Sequence, residues 1–195
     1  MGVNEQTGIY QINDVNGDGR FTLADRLLFI NVDPKFYGGL GNTLTYKGFE
    51  FQVFVEFKKQ VGLNYLSNLA AYVPGFGYNN QPTYVLERWQ KPGDQVNIQR
   101  FTGAIDDAYN ISYNNMRNSD AVYSDASYIR VKNASLHYSL PSSFLKKMNV
   151  KGSRIFVQGQ NLLTITNYRG ADPENQDVLT LPPLQVFTAG FQLTF

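Results

Sequence analysis

The stretch "FEFQVFVEF", Phe49 to Phe57, decides the fold class. Phe49, Phe51, Val53, Val55 and Phe57 fall on one side of an extended chain, and Glu50, Gln52 and Glu56 fall on the other. Period two is the signature of a strand with one apolar face. Phe54 alone breaks the alternation. Upstream, "FYGGLGNTLTYKG" puts Leu40, Leu44 and Tyr46 on one face, with Asn42 the exception, and Lys47-Gly48 fits a tight turn between the two runs.

Further strands lie downstream. "SYIRVKNASLHYSLP" sets Ala134, Leu136, Tyr138 and Leu140 against Asn133, Ser135, His137 and Ser139, and Pro141 closes it. "SRIFVQGQNLLTI" sets Ile155, Val157 and Leu163 against Phe156, Gln158 and Gln160, a more mixed pattern. "QVFTAGFQLTF" sets Phe187, Ala189, Phe191, Leu193 and Phe195 against Thr188, Gly190, Gln192 and Thr194. About five strands follow, each near the ten residues that a tilted strand needs to cross a bilayer.

Composition agrees with an all-β reading. The 195 residues suffice for one domain with a sizeable core, 43% are hydrophobic, and 13 Tyr and 14 Phe stand against one Trp, a balance that favours pleated surfaces. A net charge of +1 supplies no field to draw the chain to nucleic acid. With no Cys, disulfide and thiolate chemistry are excluded. No apolar run is long enough for a membrane-spanning helix, and "MGVNEQTGIY" carries no secretory signal.

The connections alternate in length. Lys47-Gly48 and the segment from Pro141 to Gly152 are short, whereas 61–126 and 166–184 are long, an asymmetry that a transmembrane barrel predicts from short periplasmic turns and long extracellular loops. Ahead of the first strand, "DVNGDGRFTLAD" spaces oxygen ligands as an EF-hand loop does: Asp14, Asn16 and Asp18 at the first, third and fifth places, Gly19 at the turn, the Arg20 carbonyl, Thr22 at the ninth place and Asp25 at the twelfth. Ca2+ suits such a set. The motif lacks flanking helices and has Asp where Glu is usual, so the role expected is structural. Asp, Asn and Gly are equally the residues that turns favour.

Taken in order, "DVNGDGRFTLADR", "PKFYGGLGNTLTYKGFEFQVFVEF", "LERWQKPGD", "SDASYIRVKNASLHYSLP" and "FVQGQNLLTITNYRGADPE", with a terminal Phe, resemble the C-terminal portion of SusC/RagA-type TonB-linked (TonB-dependent) outer-membrane transporters. The resemblance covers about Asp14 to Phe195. It implies antiparallel transmembrane β-barrel strands, about the last five of a 22-stranded barrel, with long extracellular loops. Residues 1–35 become an extracellular loop with the calcium motif, and 36–195 the C-terminal barrel strands. It further implies a Gram-negative, Bacteroidetes-like cell outer membrane, a SusD-type surface lipoprotein as partner, glycan or peptide as substrate, and energy from TonB through an N-terminal plug. Plug, TonB box and remaining strands are not in this sequence, so the expectation is a fragment whose Met1-Gly2 reads as an added start, although a split gene product would look the same. Phe195 reads as the aromatic end that assembly machinery recognises.

Other features of the sequence also admit plain structural roles. In 61–126, Tyr65, Tyr72, Phe76, Tyr78, Tyr84 and Trp89 lie among many amides, a mixture that suits sugars but also suits a loop packed on itself. "PTYVLERWQKPGD" fits a short helix with Thr83 as N-cap. His137, the only His, has no nucleophile motif beside it, and Asp106-Asp107 is a bare acidic pair, so no enzyme is expected. The competing class is a soluble calcium-stabilised β-sandwich that binds carbohydrate, in which the apolar faces meet a second sheet.

Overall fold

Lys47 and Gly48 take positive φ values of 45° and 85°. Two consecutive left-handed residues make the two-residue hairpin turn whose twist matches paired strands. In the computed structural model of the chain, residues 2–67, 73–76, 80–103, 107–145, 150–177 and 180–195 are described. The strands in chain order are β1 (Gly2–Val3), β2 (Tyr10–Gln11), β3 (Phe36–Tyr46), β4 (Phe49–Lys59), β5 (Val61–Leu63), β6 (Tyr123–Asp125), β7 (Tyr128–Ser139), β8 (Gly152–Thr166) and β9 (Val186–Thr194). The helices are α1 (Asp107–Arg117) and α2 (Ser142–Leu145).

Two compact units are formed. The first comprises 1–32, 61–125 and 169–180, and the second 33–60, 126–168 and 181–195. The second is one antiparallel sheet in the order β3-β4-β7-β8-β9, so the expected antiparallel strands are present.

Directly paired residues point to the same face, so register decides what each face carries. One row runs Tyr46, Phe49, Tyr138, Ile155, Phe191, and the next but one runs Leu44, Phe51, Leu136, Val157, Ala189. Between them lies Thr45, Glu50, His137, Phe156, Gly190, followed by Thr43, Gln52, Ser135, Gln158, Thr188. One face is therefore apolar and the other polar. A bulge preserves this. Phe54 pairs with Asn133 and Val55 with Val131, so Lys132 is left over and β7 changes parity, which brings Val131 and Ile129 onto the apolar face beside Val55 and Phe57. On β8, Asn161 at φ 53° absorbs the matching irregularity.

Phe54 and Phe156 are the two phenylalanines on the polar face, and each covers a glycine. A Cβ built on Gly39 would lie 2.5 Å from the Phe54 ring, and one on Gly190 would lie 2.6 Å from the Phe156 ring. An aromatic ring laid over a bare strand backbone restores the contact that the missing side chain gives up. Phe54 thus breaks the alternation for a packing reason.

The first unit has its own core of Tyr10, Tyr65, Leu66, Val73, Val85, Ile98, Tyr113, Met116 and Val122. α1 feeds it through Tyr113 and Met116, and buries Tyr109 and Ser112 at the same helical spacing. This helix lies where the sequence reading placed only loop.

Valine at Gly39 or Gly190 should force the covering ring aside. Each change should cost about 1–3 kcal/mol of unfolding free energy in a urea titration. Gly41→Ala, whose methyl would approach no closer than 3.8 Å to Phe54, should stay within about 0.5 kcal/mol.

Candidate functional site

The calcium-motif loop satisfies its acids with main-chain amides. Asp14 accepts from Gly17 (2.8 Å) and Gly19 (2.7 Å), Asp18 from Arg20 (2.7 Å) and from the Asn16 side-chain amide (3.0 Å). Asn16 in turn accepts from the Asp18 amide at 3.1 Å. Asp25 spans the loop, taking the Val15 amide at 2.9 Å and the Thr22 amide at 2.7 Å. Thr22 caps the 3-10 turn Leu23–Asp25, and Asp25 returns the bond to Thr22, a capping box. Gly17 and Gly19 sit at φ +72° and +75°, which lets their amides turn inward onto Asp14. Among the described residues no group of three or more His, Cys, Asp or Glu side chains is placed to hold a metal. Each of the six motif residues takes part in a hydrogen bond within the loop.

The amides of Thr22, first, and Val15 hold the Asp25 carboxyl below its usual 3.8. Hydrogen bonds to the charged form favour it. The sign follows: the stabilisation is complete above 3.8 and is lost as pH falls through the depressed value in the folded loop.

The loop aromatics are structural. Tyr65 and Trp89 are buried, and Tyr84 is partly buried with its ring edge-on to Tyr65 at 5.1 Å. The Tyr84 hydroxyl donates to the Tyr65 carbonyl at 3.1 Å, and Trp89 Nε1 donates to the Glu5 carbonyl at 2.9 Å. The Arg169 guanidinium lies 4.5 Å over the Tyr65 ring while pairing with Glu87 at 2.8 Å. Phe76 packs on the same core. Tyr65 and Trp89, being buried, present no free ring face as a sugar platform. Tyr72, Tyr78 and Asp106 lie outside the described residues. The short helix expected from Thr83 is a 3-10 turn, Thr83–Glu87, whose N-cap is Pro82 with no side-chain cap bond. Proline fixes the extended entry at φ −61°, which takes the capping position from Thr83.

The polar face of the sheet holds linked charges. Arg154 reaches across β7 to Glu50 at 2.9 Å, and Gln52 donates to the same oxygen at 2.8 Å. Glu56 accepts from the Tyr128 hydroxyl at 2.6 Å and pairs with Lys132 at 3.6 Å. Arg130, 1% exposed, donates to Thr164 at 2.9 Å. His137 Nε2 lies 2.9 Å from Ser135 Oγ, a pair that alternation alone did not single out. Among the described residues its buried Nδ1 has no hydrogen-bond partner, so none of them orients the ring as a general base requires.

No family model matches the chain. In sequence it is 32% identical, over 93% of its length, to TonB-dependent receptor P3 of Formosa agariphila, and 28% identical over 85% to TonB-dependent receptor P26 of the same organism. It spans 18% and 16% of those proteins. All of it superposes on chains of the RagAB peptide transporter, with a TM-score of 0.73 at 23% identity, and of the RagAB peptide importer in its closed-closed state, with 0.71 at 24%, in each case over 22% of the solved chain. The chain belongs with the TonB-dependent receptors, matching a portion less than a quarter of their length, and shares its fold with part of the RagAB chains.

The pH dependence gives a direct check. Hydrogen-exchange protection of the Val15 and Thr22 amides, corrected for intrinsic exchange, should hold from pH 7 down to 3.8 and collapse below it. Asp25→Asn should lower that protection already at pH 7.

Proposed function

We propose that this chain is a wall segment of an outer-membrane importer, one that takes up glycan or peptide together with a SusD-type lipoprotein and draws energy from TonB through parts of the receptor beyond this chain. The carrying observation is the two-faced sheet. Phe191 is 74% exposed, Ile165 60%, Val157 53% and Leu136 47%, all in registered apolar rows. Opposite them run the Glu50–Arg154 and Glu56–Lys132 pairs. Apolar outside and polar inside is the pattern of a barrel wall in lipid. Strand length supports the same reading: the 11 residues of β3 or β4 reach about 37 Å, and a tilt of about 40° projects this to about 29 Å, enough for an apolar band of about 25 Å.

The edges support a larger wall as well. β3 and β9 each pair on one side only, and five strands are too few to enclose a lumen. The sandwich reading needs a second sheet about 10 Å from the apolar face. Within the sheet unit no described strand provides it.

Adjacent residues on β8 provide the test. Val157→Arg puts a charge on the lipid side and should cost about 2–4 kcal/mol near the bilayer midplane, with a matching loss of folded receptor from the outer-membrane fraction. Gln158→Arg, on the polar side, should leave that yield near normal. Recovery of the unaltered receptor as a monomer in detergent-free buffer would overturn the reading.

A further inference from the structure

Asn16 is the one asparagine of the chain that is followed by glycine. Such a pair can react with itself: the glycine nitrogen attacks the side-chain carbonyl carbon of the asparagine, and because glycine has no Cβ, nothing beside that nitrogen blocks the approach. Both residues are exposed, and a Cβ built on Gly17 would meet no atom within 4 Å. Water therefore has open access to the pair.

The hydrogen bonds of the loop engage each reacting atom in the sense that this reaction needs. The Gly17 N–H, which must give up its proton, donates to Asp14 Oδ1 at 2.8 Å. A carboxylate within hydrogen-bond reach of the departing proton occupies the place of a general base. Asn16 Oδ1, on which negative charge develops during the attack, accepts from the Asp18 N–H at 3.1 Å, as an oxyanion accepts from a fixed amide. Asn16 Nδ2, the leaving nitrogen, donates to Asp18 Oδ2 at 3.0 Å. Neighbouring pairs lack the set. Asp18-Gly19 has the same glycine, but the Asp18 carboxylate carries no leaving group and its oxygens take the Arg20 amide and Asn16. Asn118 is also exposed, yet the Ser119 N–H that follows it donates to the Met116 carbonyl at 3.1 Å, which is not a base.

We propose that Asn16 is a site of self-deamidation, with the Gly17 nitrogen as nucleophile and Asp14 as general base. Asp14 takes the Gly17 amide proton, the Gly17 nitrogen bonds to Asn16 Cγ, and the Cγ–Nδ2 bond breaks. Nδ2 leaves as ammonia with that proton, so a cyclic imide joins residues 16 and 17 and Asp14 is again a carboxylate. Water then opens the ring at either carbonyl, which leaves aspartate or isoaspartate at position 16. The amide that donates to Asp18 is thereby exchanged for a carboxylate that repels it. Loss of ammonia makes the change irreversible, so it accumulates with the age of the chain.

The test holds the full chain in detergent micelles at neutral pH and follows the peptides that contain Asn16 and Asn118 by mass spectrometry, with isoaspartate counted by enzymatic methylation. Asn16 should deamidate at least about tenfold faster than Asn118, and Asp14→Asn should slow it about tenfold. Asn16→Gln should give no product over the same period, because its longer side chain would have to close a larger ring. The sign of the Asp14→Asn result separates chemistry from restraint, since loss of a merely structural bond would loosen the loop and speed the reaction. Deamidation of Asn16 no faster than that of Asn118, or a faster reaction in Asp14→Asn, would overturn the assignment. The comparison of Asn16 with Asn118 is made within the unaltered chain, so it decides the site even where a variant fails to fold.

Discussion

Cross-strand register is the constraint on which the sheet depends. Because side chains alternate with a period of two, a slip of one residue between any two strands would carry a whole apolar row to the polar face. The bulge at Lys132 shows how closely this is held. Without the extra residue, Ile129 and Val131 would share a face with His137 and Ser135, and Arg130 would face outward beside Leu136. With it, Val55, Val131 and Leu163 form one row, and Arg130 stays with Glu56 and Thr164 in the polar row. The ion pairs follow from this alignment, since Arg154 can meet Glu50 only while β4, β7 and β8 keep their pairing.

What could be read from the sequence was whatever alternation and turn chemistry express locally. β4 was legible because its odd positions are apolar from Phe49 to Phe57, and the Lys47-Gly48 turn because Gly tolerates the left-handed conformation. Other features depend on a partner strand and so leave no local mark. Phe54 makes sense only once Gly39 lies beneath it, and Lys132 is a bulge only in relation to Asn133, Val131 and their partners on β4. The mixed look of β8 has the same origin, in the left-handed Asn161.

The loop unit was less legible for a different reason. In α1, "DAYNISYNNMR", three Asn give weak helix propensity and conceal a helical repeat. Tyr109, Tyr113 and Met116 carried the signal, at spacings of four and three. The aromatics were visible as a group, but composition cannot tell a buried ring from an offered one. Burial of Tyr65 and Trp89 decides that, and it makes them the frame of the loops and not their binding surface. The acidic motif is a similar case: its spacing matches a ligand set, and the same spacing lets carboxylates gather amides across a tight turn.

The two units answer the same physical problem in opposite ways. In the loop unit large side chains such as Ile98, Met116 and Val122 are almost wholly removed from water, so the unit gains its stability from a core of its own. The sheet gathers comparable apolar residues into registered rows and leaves them open, with Phe187 71% and Phe191 74% exposed, while its charges pair on the other side. In water such a surface would favour association or collapse, because contiguous apolar patches of this kind are rare on soluble monomers. In hydrocarbon the same rows are at no disadvantage, and the backbone amides between them are already paired within the sheet, as a lipid-facing structure requires. One chain therefore carries segments suited to two solvents, and the change from one to the other falls where its strands give way to its loops.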